Sequence, residues 1–179
     1  MMKHSHDQLI DSAVLIPIYS DDDGDARLVF VRRNEGGIHG GQIAFPGGKH
    51  DPEDESMLAT AIREAWEEIG LSPDGIEVIA TLPVLETHTT GYRIFPFLAR
   101  IVPPGQWRRE EREIAEIFTV RLYDLARPEA QGEELRKFPN WPEPRRIKFY
   151  LANGYKIWGA TYRILRGLLP RLLAGEWQI

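Results

Sequence analysis

Residues Ser56 to Leu71 constrain this chain more than any other stretch. Wound as a helix at about 100° per residue, residues 56 to 69 place Glu64, Glu67 and Glu68 on one arc and Leu58, Ile62, Ala65 and Ile69 on a roughly opposite one. Asp54 or Ser56 can cap the start, and Gly70 is a stop signal. The apolar stripe needs a layer to pack against. The acidic arc poses a different problem, because like charges at that spacing raise one another's pKa and cost stability, so three carboxylates call for a cation. Oxygen-only ligands favour a hard divalent metal, Mg²⁺ or Mn²⁺. The alternative is the charged solvent face of an amphipathic helix, the usual meaning of three glutamates.

Immediately upstream, glycines at 36, 37, 40, 41, 47 and 48 make residues 34 to 50 a loop of unusual backbone freedom. The short apolar run Ile43, Ala44, Phe45 interrupts it before Pro46. A ligand can approach such a backbone closely.

Ala13 to Tyr19 and Leu28 to Arg33 are short β-branched and apolar runs, expected to be antiparallel strands joined by the acidic turn Ser20 to Asp25. That turn lacks the glycine and glutamate spacing of a calcium loop. Further strands are expected over Ile76 to Leu82, Arg93 to Val102, Ile114 to Leu122 and Ile147 to Leu151, the last turning at Asn153 and Gly154. Trp158, Tyr162, Leu165, Leu169 and Leu172 recur at helical spacing, with Pro170 expected to bend or shorten that helix and Gly175 to end it. Strands before, between and after two widely separated helices imply an α/β or α+β class, a mixed sheet with helices on both faces.

A length of 179 residues is expected to form one domain, 1–179, with a proper core. The net charge of -5 argues against a binder of nucleic acid polymers, which would show a basic surface. Without cysteine there is no disulfide, thiolate zinc site or cysteine nucleophile. The opening residues lack the apolar core of a secretory signal and no apolar run reaches the ~18 residues of a membrane span, so the expectation is a cytoplasmic protein with no membrane partner.

The order glycine, acid, then Arg63-Glu64, Glu67-Glu68, Gly70 and Leu71 resembles the signature of the Nudix hydrolases, with Ala65 at its apolar position. Skipping back over seven residues from Arg63 reaches Glu55, and six residues rather than five then separate Glu55 from Gly48, so the loop carries one extra. The longer loop, Phe45-Pro46-Gly47-Gly48-Lys49, Gly41 upstream and Arg32 at a strand end look like the branch that hydrolyses coenzyme A and its derivatives. Ile157 to Thr161 is also similar to the start of that branch's C-terminal helix. Phe30, Arg33 and Gly37 depart from it, standing where that element prefers threonine, serine and arginine.

The resemblance implies a Nudix-like α/β/α sandwich with a mixed β-sheet, and an enzyme in which water attacks one phosphorus of a pyrophosphate. It implies Glu64, Glu67 and Glu68 as carboxylate ligands of Mg²⁺ or Mn²⁺, with the backbone carbonyl of Gly47 as a further ligand. Such ions neutralise phosphate oxygens and lower the pKa of a bound water. Arg63 and Glu55 are expected to hold the loop against the helix through a two-hydrogen-bond ion pair. The expected catalytic residues are Glu64, Glu68 and Glu113, the last chosen as general base from Glu110, Glu111, Glu113 and Glu116 in a distant loop. His88 can titrate near pH 7, though a loop histidine is more often a surface residue.

Arg32, Lys49 and Arg93 are the expected substrate contacts, with Arg33 as a further phosphate candidate and Tyr92 or Phe45 as stacking partners. The bland alternatives are strand-edge charges, a solvated lysine and a core phenylalanine. Trp141, Trp158 and Trp177 serve either a homodimer surface or the core. The implied substrate is a small nucleoside diphosphate derivative: first coenzyme A, giving 3',5'-ADP and 4'-phosphopantetheine, and second ADP-ribose, a dinucleotide or a nucleoside triphosphate. A third reading is a catalytically silent nucleotide-binding domain.

Overall fold

A computed structural model describes residues 9–36, 39–87, 90–138 and 142–179. Its strands are β1 (Ile10–Ser20), β2 (Ala26–Arg33), β3 (Ile43–Ala44), β4 (Gly47–Lys49), β5 (Ile76–Thr81), β6 (Leu85–Thr87), β7 (Tyr92–Ile101), β8 (Ile114–Arg121), β9 (Gln131–Arg136), β10 (Arg145–Ala152) and β11 (Tyr155–Ile157). The helices are α1 (Met57–Ile69), α2 (Leu122–Ala126) and α3 (Gly159–Leu173). Among the described residues the main sheet has eight strands, with the path β3-β2-β1-β7-β5, and with β4 on β1, β6 on β7 and β8 on β2. The β1–β7 pair is parallel and the other pairs are antiparallel, so the sheet is mixed. A separate antiparallel sheet runs β11-β10-β9.

The period-2 alternation of the strands creates two cores. Val29 and Val31 of β2, with Ala13 and Leu15 of β1, pack toward α1, which meets them with Ala61, Ala65 and Ile69. Two alanines on that seam leave little side chain to hold helix and sheet apart. Leu28 and Phe30, with Ile16 and Ile18, face the other way, onto Leu165, Leu168, Leu169 and Leu172 of α3. Each fully buried Leu, Ile or Phe contributes roughly 2 kcal/mol by leaving water. The result is a layered α+β architecture with a helix on each face of a mixed sheet, as the sequence implies.

Several local readings change. Residues 34 to 50 contain two short strands, β3 and β4, rather than loop throughout. Helix α3 runs three residues past Pro170. Pro170 is exposed, so the carbonyl left without its N–H partner can face water. The helix then closes through Ala174 N–H to Pro170 O (3.0 Å) and Gly175 N–H to Leu172 O (3.0 Å). The strand expected through Leu122 stops at Arg121, where α2 begins. The acidic turn is a hydrogen-bonded device: Asp21 Oδ1 accepts from the backbone N–H of Asp23 (3.1 Å) and Asp25 (2.9 Å), while Oδ2 pairs with Arg27.

Candidate active site

Strand β1 divides its edge between two neighbours. It pairs with β2 over Ile18 to Ser20, but over Ser12 to Val14 its partner is β4, with Val14 opposite Gly47 and Ala13 opposite Gly48. The chain that leaves β2 at Arg33 returns through this gap, beneath the start of α1. Neither position has free room for a side chain. A Cβ on Gly47 would overlap the Ala13 carbonyl oxygen, and one on Gly48 would overlap the Glu64 carboxyl group, its Cδ lying 2.5 Å away. Glu64 therefore rests on a bare stretch of backbone.

Helix α1 is fixed at both ends. Ser56 Oγ accepts from Ala59 N–H (3.1 Å), and Gly70, with φ of 70°, takes the left-handed C-terminal conformation that glycine adopts without a Cβ penalty. The preceding loop is clamped by Arg63, as expected, but the partner is Asp54 rather than Glu55. Arg63 Nε donates to Asp54 Oδ1 (2.8 Å) and Nη2 to Oδ2 (2.9 Å). The loop turns through Asp54 N–H to Asp51 O (2.9 Å), which aims Asp54 at the helix and leaves Glu55 exposed. Asp54 Oδ2 also accepts from Thr60 Oγ1 (2.7 Å), and these bonds, led by that to Arg63, hold its carboxyl well below the usual carboxylate range. Arg63 further donates to the Lys49 carbonyl (3.3 Å). Arg63→Lys keeps the charge but loses the forked geometry, so chemical denaturation should show stability lower by about 1–3 kcal/mol. An unchanged midpoint would contradict the clamp.

The acidic arc is not left bare: arginines supply the cations. Arg63 Nη1 reaches Glu64 Oε1 (3.0 Å) and Glu67 Oε2 (3.3 Å). Arg33 Nη1 reaches Glu68 Oε1 (3.1 Å), while Glu68 Oε2 accepts from the Gly47 N–H (3.0 Å). Glu68 is only 2% exposed, and burial pushes its carboxyl up to about 7, against the lowering effects of Gly47 N–H and Arg33. Burial likewise raises Glu64, partly offset by Arg63. Glu67 is half exposed at the rim.

Glu113 comes from a segment far along the chain, yet it joins this group. Its carboxylate meets Arg33 Nη2 at 3.2 Å, so one guanidinium spans Glu68 and Glu113. The segment carrying it is pinned to the end of α1 by Arg108 N–H to Ile69 O (3.3 Å) and Glu110 N–H to Glu68 O (3.0 Å). Asn34 N–H to Glu113 O (2.7 Å) adds a second anchor. Glu116 is directed differently, taking Tyr155 Oη (2.6 Å) and Arg32 (3.5 Å). Glu110 accepts from Arg112 N–H, and Glu111 pairs with Arg109.

The other expected residues separate in the same way. Lys49 lines the cleft beside Gly47 and Gly48. Arg32 does not; alternation along β2 turns it away from Arg33, toward Glu116 and the face of Tyr155 (5.7 Å). Arg93 is also outside the cleft lining, between Asp11 (3.5 Å) and Glu86 (3.4 Å). Phe45 is core, stacked on Phe30 at 4.8 Å, and Tyr92 lines the cleft. Trp158 lines the cleft and Trp177 packs on the α3 core. His88 and Trp141 lie outside the described residues. Sequence reasoning missed Asp54 and the bridging role of Arg33; the only signal for Arg33 was that it stands where the related element has serine.

Among the described residues, no three acidic or imidazole side chains are gathered into a ready cage for a metal. Glu64 and Glu67 are turned onto Arg63, and Glu68 onto Gly47 and Arg33. The donor chemistry nonetheless fits a hard divalent cation. All donors are carboxylate oxygens, and a buried Glu68 with raised proton affinity is one that gains from a nearby positive charge. A cleft of about 1920 Å³, lined at this end by Glu64, Glu67 and Glu113 with the buried Glu68 behind them, extends past Gly47 and Gly48 to the start of α3 and to β9 and β10.

A sequence model of the Nudix domain matches residues 10–146. The chain is 33% identical over 175 residues to the uncharacterized Nudix hydrolase NudL of Salmonella paratyphi B, covering 88% of this chain and 80% of that one. Among solved structures, the Nudix hydrolase RenU of M. smegmatis aligns with a TM-score of 0.64 at 17% identity, over 95% of this chain and 89% of that one. A C. elegans Ap4A hydrolase complex aligns with a TM-score of 0.54 at 20% identity, over 65% and 82%. The NUDIX domain of Shewanella oneidensis NrtR, complexed with ADP ribose, gives 0.51 at 18% identity, over 66% and 76%. The helix with its glutamates, the two glycines under it and the match across most of the chain lead to one conclusion: this protein belongs to the Nudix family and is a Nudix hydrolase acting on a pyrophosphate-containing substrate.

Proposed function

We propose that this enzyme hydrolyses the pyrophosphate bond of coenzyme A or its derivatives, giving 3',5'-ADP and 4'-phosphopantetheine. The observation that carries the reaction is Glu64 on the Gly47–Gly48 turn at one end of a long cleft, with the buried Glu68 directly behind it. Glu64, Glu67, Glu68 and the Gly47 carbonyl would hold Mg²⁺ or Mn²⁺. When bound, such ions neutralise phosphate oxygens and acidify an attacking water.

The protein's own groups supply the rest. The Gly47 N–H keeps Glu68 in one orientation, and Gly48 leaves room for the Glu64 carboxylate to lie against the backbone. Glu113, exposed enough to reach water and tied to the cluster through Arg33, is the general base. Lys49 and Arg33, both in the cleft lining, are the phosphate contacts; Arg32 and Arg93, held elsewhere, are not part of this assignment.

Coenzyme A is favoured by Phe45-Pro46-Gly47-Gly48-Lys49 and the lengthened loop. The cleft also exceeds the roughly 300–1,000 Å³ of ordinary small-ligand sites, as an extended substrate requires. The second reading, ADP-ribose, a dinucleotide or a nucleoside triphosphate, draws on Phe30 and Arg33 as departures and on the ADP ribose and Ap4A proteins of similar fold. Turnover of coenzyme A, ADP-ribose and Ap4A with Mg²⁺ decides: kcat/KM for coenzyme A should exceed the others by about tenfold or more. A preference for either competitor establishes the second reading.

A further inference from the structure

The β2–β8 ladder is irregular where it reaches the acidic group. Arg32 pairs with Glu116 but Arg33 with Ile114, so the register passes over Ala115. A bulge of this kind bends the strand and re-aims the side chain beside it. This one is braced. Arg109 Nη1 donates to the carbonyls of Ile114 (3.3 Å) and Ala115 (2.7 Å), and the Arg33 N–H donates to the Gln42 carbonyl (3.0 Å). The backbone under Arg33 is thereby fixed, and its guanidinium is aimed at Glu68 and Glu113.

Glu68 holds its two partners unequally. Oε2 accepts from the Gly47 N–H (3.0 Å), a backbone group set by the β1–β4 pairing, whereas Oε1 accepts from Arg33 Nη1 (3.1 Å), at the end of a long side chain. Only the second partner can withdraw. A guanidinium does not deprotonate in proteins, so Arg33 presents a permanent positive charge to a buried carboxyl. A divalent ion taking the same oxygen meets that charge at close range, and in a partly buried site the repulsion is large. Arg33 also has another place to turn: it lines the cleft, and its Nη2 is bonded to the exposed Glu113 (3.2 Å). Serine, which the related element prefers at this position, would bring neither the charge nor the reach.

We propose that Arg33 is an internal counter-cation that competes with the divalent ion for Glu68 and so sets how much of that ion the enzyme requires. The inference rests on the proposed reading of these carboxylates as the metal seat. Arg33 stabilises the acidic group before an ion binds, and an ion on Glu68 leaves the guanidinium to a substrate phosphate in the cleft. Ion and phosphate then favour each other's binding through one side chain.

The test uses Mg²⁺ alone and no turnover. Isothermal titration calorimetry is run at pH 8.5, above the value of about 7 to which burial pushes Glu68, so that a proton does not stand in for the missing guanidinium. Arg33→Ser and, separately, Arg33→Gln should each bind Mg²⁺ about tenfold or more tightly than the wild type. The glutamine keeps a donor for Glu68 and decides the matter should the serine variant not fold. Lys49→Gln, which removes a positive charge from the same cleft lining, should change the affinity by less than about threefold. In thermal melts without ion both Arg33 variants should unfold earlier than the wild type, and Mg²⁺ should raise their midpoints further than it raises that of the wild type. Affinity unchanged or weaker in both Arg33 variants, or an equal gain in Lys49→Gln, overturns the competition and leaves the metal seat standing. Uptake by neither the wild type nor the variants overturns the competition together with the metal reading beneath it.

Discussion

Glu68→Gln should lower kcat by about 10²–10³-fold while the protein folds at least as well as the wild type. The amide is nearly isosteric and its one oxygen can still accept the Gly47 N–H, while its NH2 gives up the bond from Arg33, which keeps Glu113 as a partner. What disappears is a buried negative charge. The wild-type carboxyl is pushed up to about 7 from an ordinary glutamate value of 4.5, chiefly by burial. The folded state therefore holds this proton more tightly than the unfolded chain. In metal-free protein the Glu68 contribution is fully favourable below pH 4.5 and is lost as pH rises through about 7. That loss is on the order of 3 kcal/mol for a group this buried. The difference in melting temperature, Glu68→Gln minus wild type, should widen in favour of the variant between pH 5 and pH 8 without metal. A variant that melts well below the wild type at every pH would mean that Glu68 is a structural ion-pair partner of Arg33 and little else.

The second large effect separates two adjacent glycines. Gly47→Ala forces a methyl group into the Ala13 carbonyl of the neighbouring strand, where backbone meets backbone and neither can yield. It should destabilise the fold by about 3 kcal/mol or more through overpacking. Gly48→Ala instead meets the Glu64 carboxylate, a side chain that can swing aside. It should leave the melting temperature nearly unchanged and lower kcat by about 10²-fold, because a displaced Glu64 no longer faces the cleft beside Glu68. Circular dichroism melts and steady-state rates on the two variants check this. If both lose stability and activity together, the division between a packing glycine and a site glycine is wrong.

These effects show which features a one-dimensional reading captures. The helical period of residues 56 to 69, its Ser56 cap and its Gly70 stop are local, and the structure reproduces them within a residue. The strands built on continuous apolar runs, such as β2 and β7, are equally legible. Strand β9 was not, because its single large apolar residue, Leu135, is exposed and its pairing with β10 is set by tertiary contact. Strand β4 was missed for a related reason: two glycines and a lysine carry no strand preference, and only the gap on the edge of β1 makes them one.

At the site, the glutamates and glycines were visible from spacing, whereas their partners were not. Glu55 and Asp54 are neighbours in sequence, and only the turn at Asp51 decides which of them meets Arg63. Arg32 and Arg33 are also neighbours, and the sheet sends them to opposite faces. The acidic arc did require cations, but the structure shows guanidinium groups in that role, a solution that side-chain counting along one helix cannot reveal.

The central claim is that these carboxylates, though paired with arginines, are the seat of a divalent ion. Titrating the protein with Mn²⁺ and following free ion by electron paramagnetic resonance measures this without turnover. The wild type should take up Mn²⁺ with affinity that rises between pH 6 and pH 8 as Glu68 ionises, and Glu68→Gln and Glu64→Gln should each weaken it by about tenfold or more. Uptake that is absent in the wild type, or unchanged from the wild type in both variants, would contradict the account.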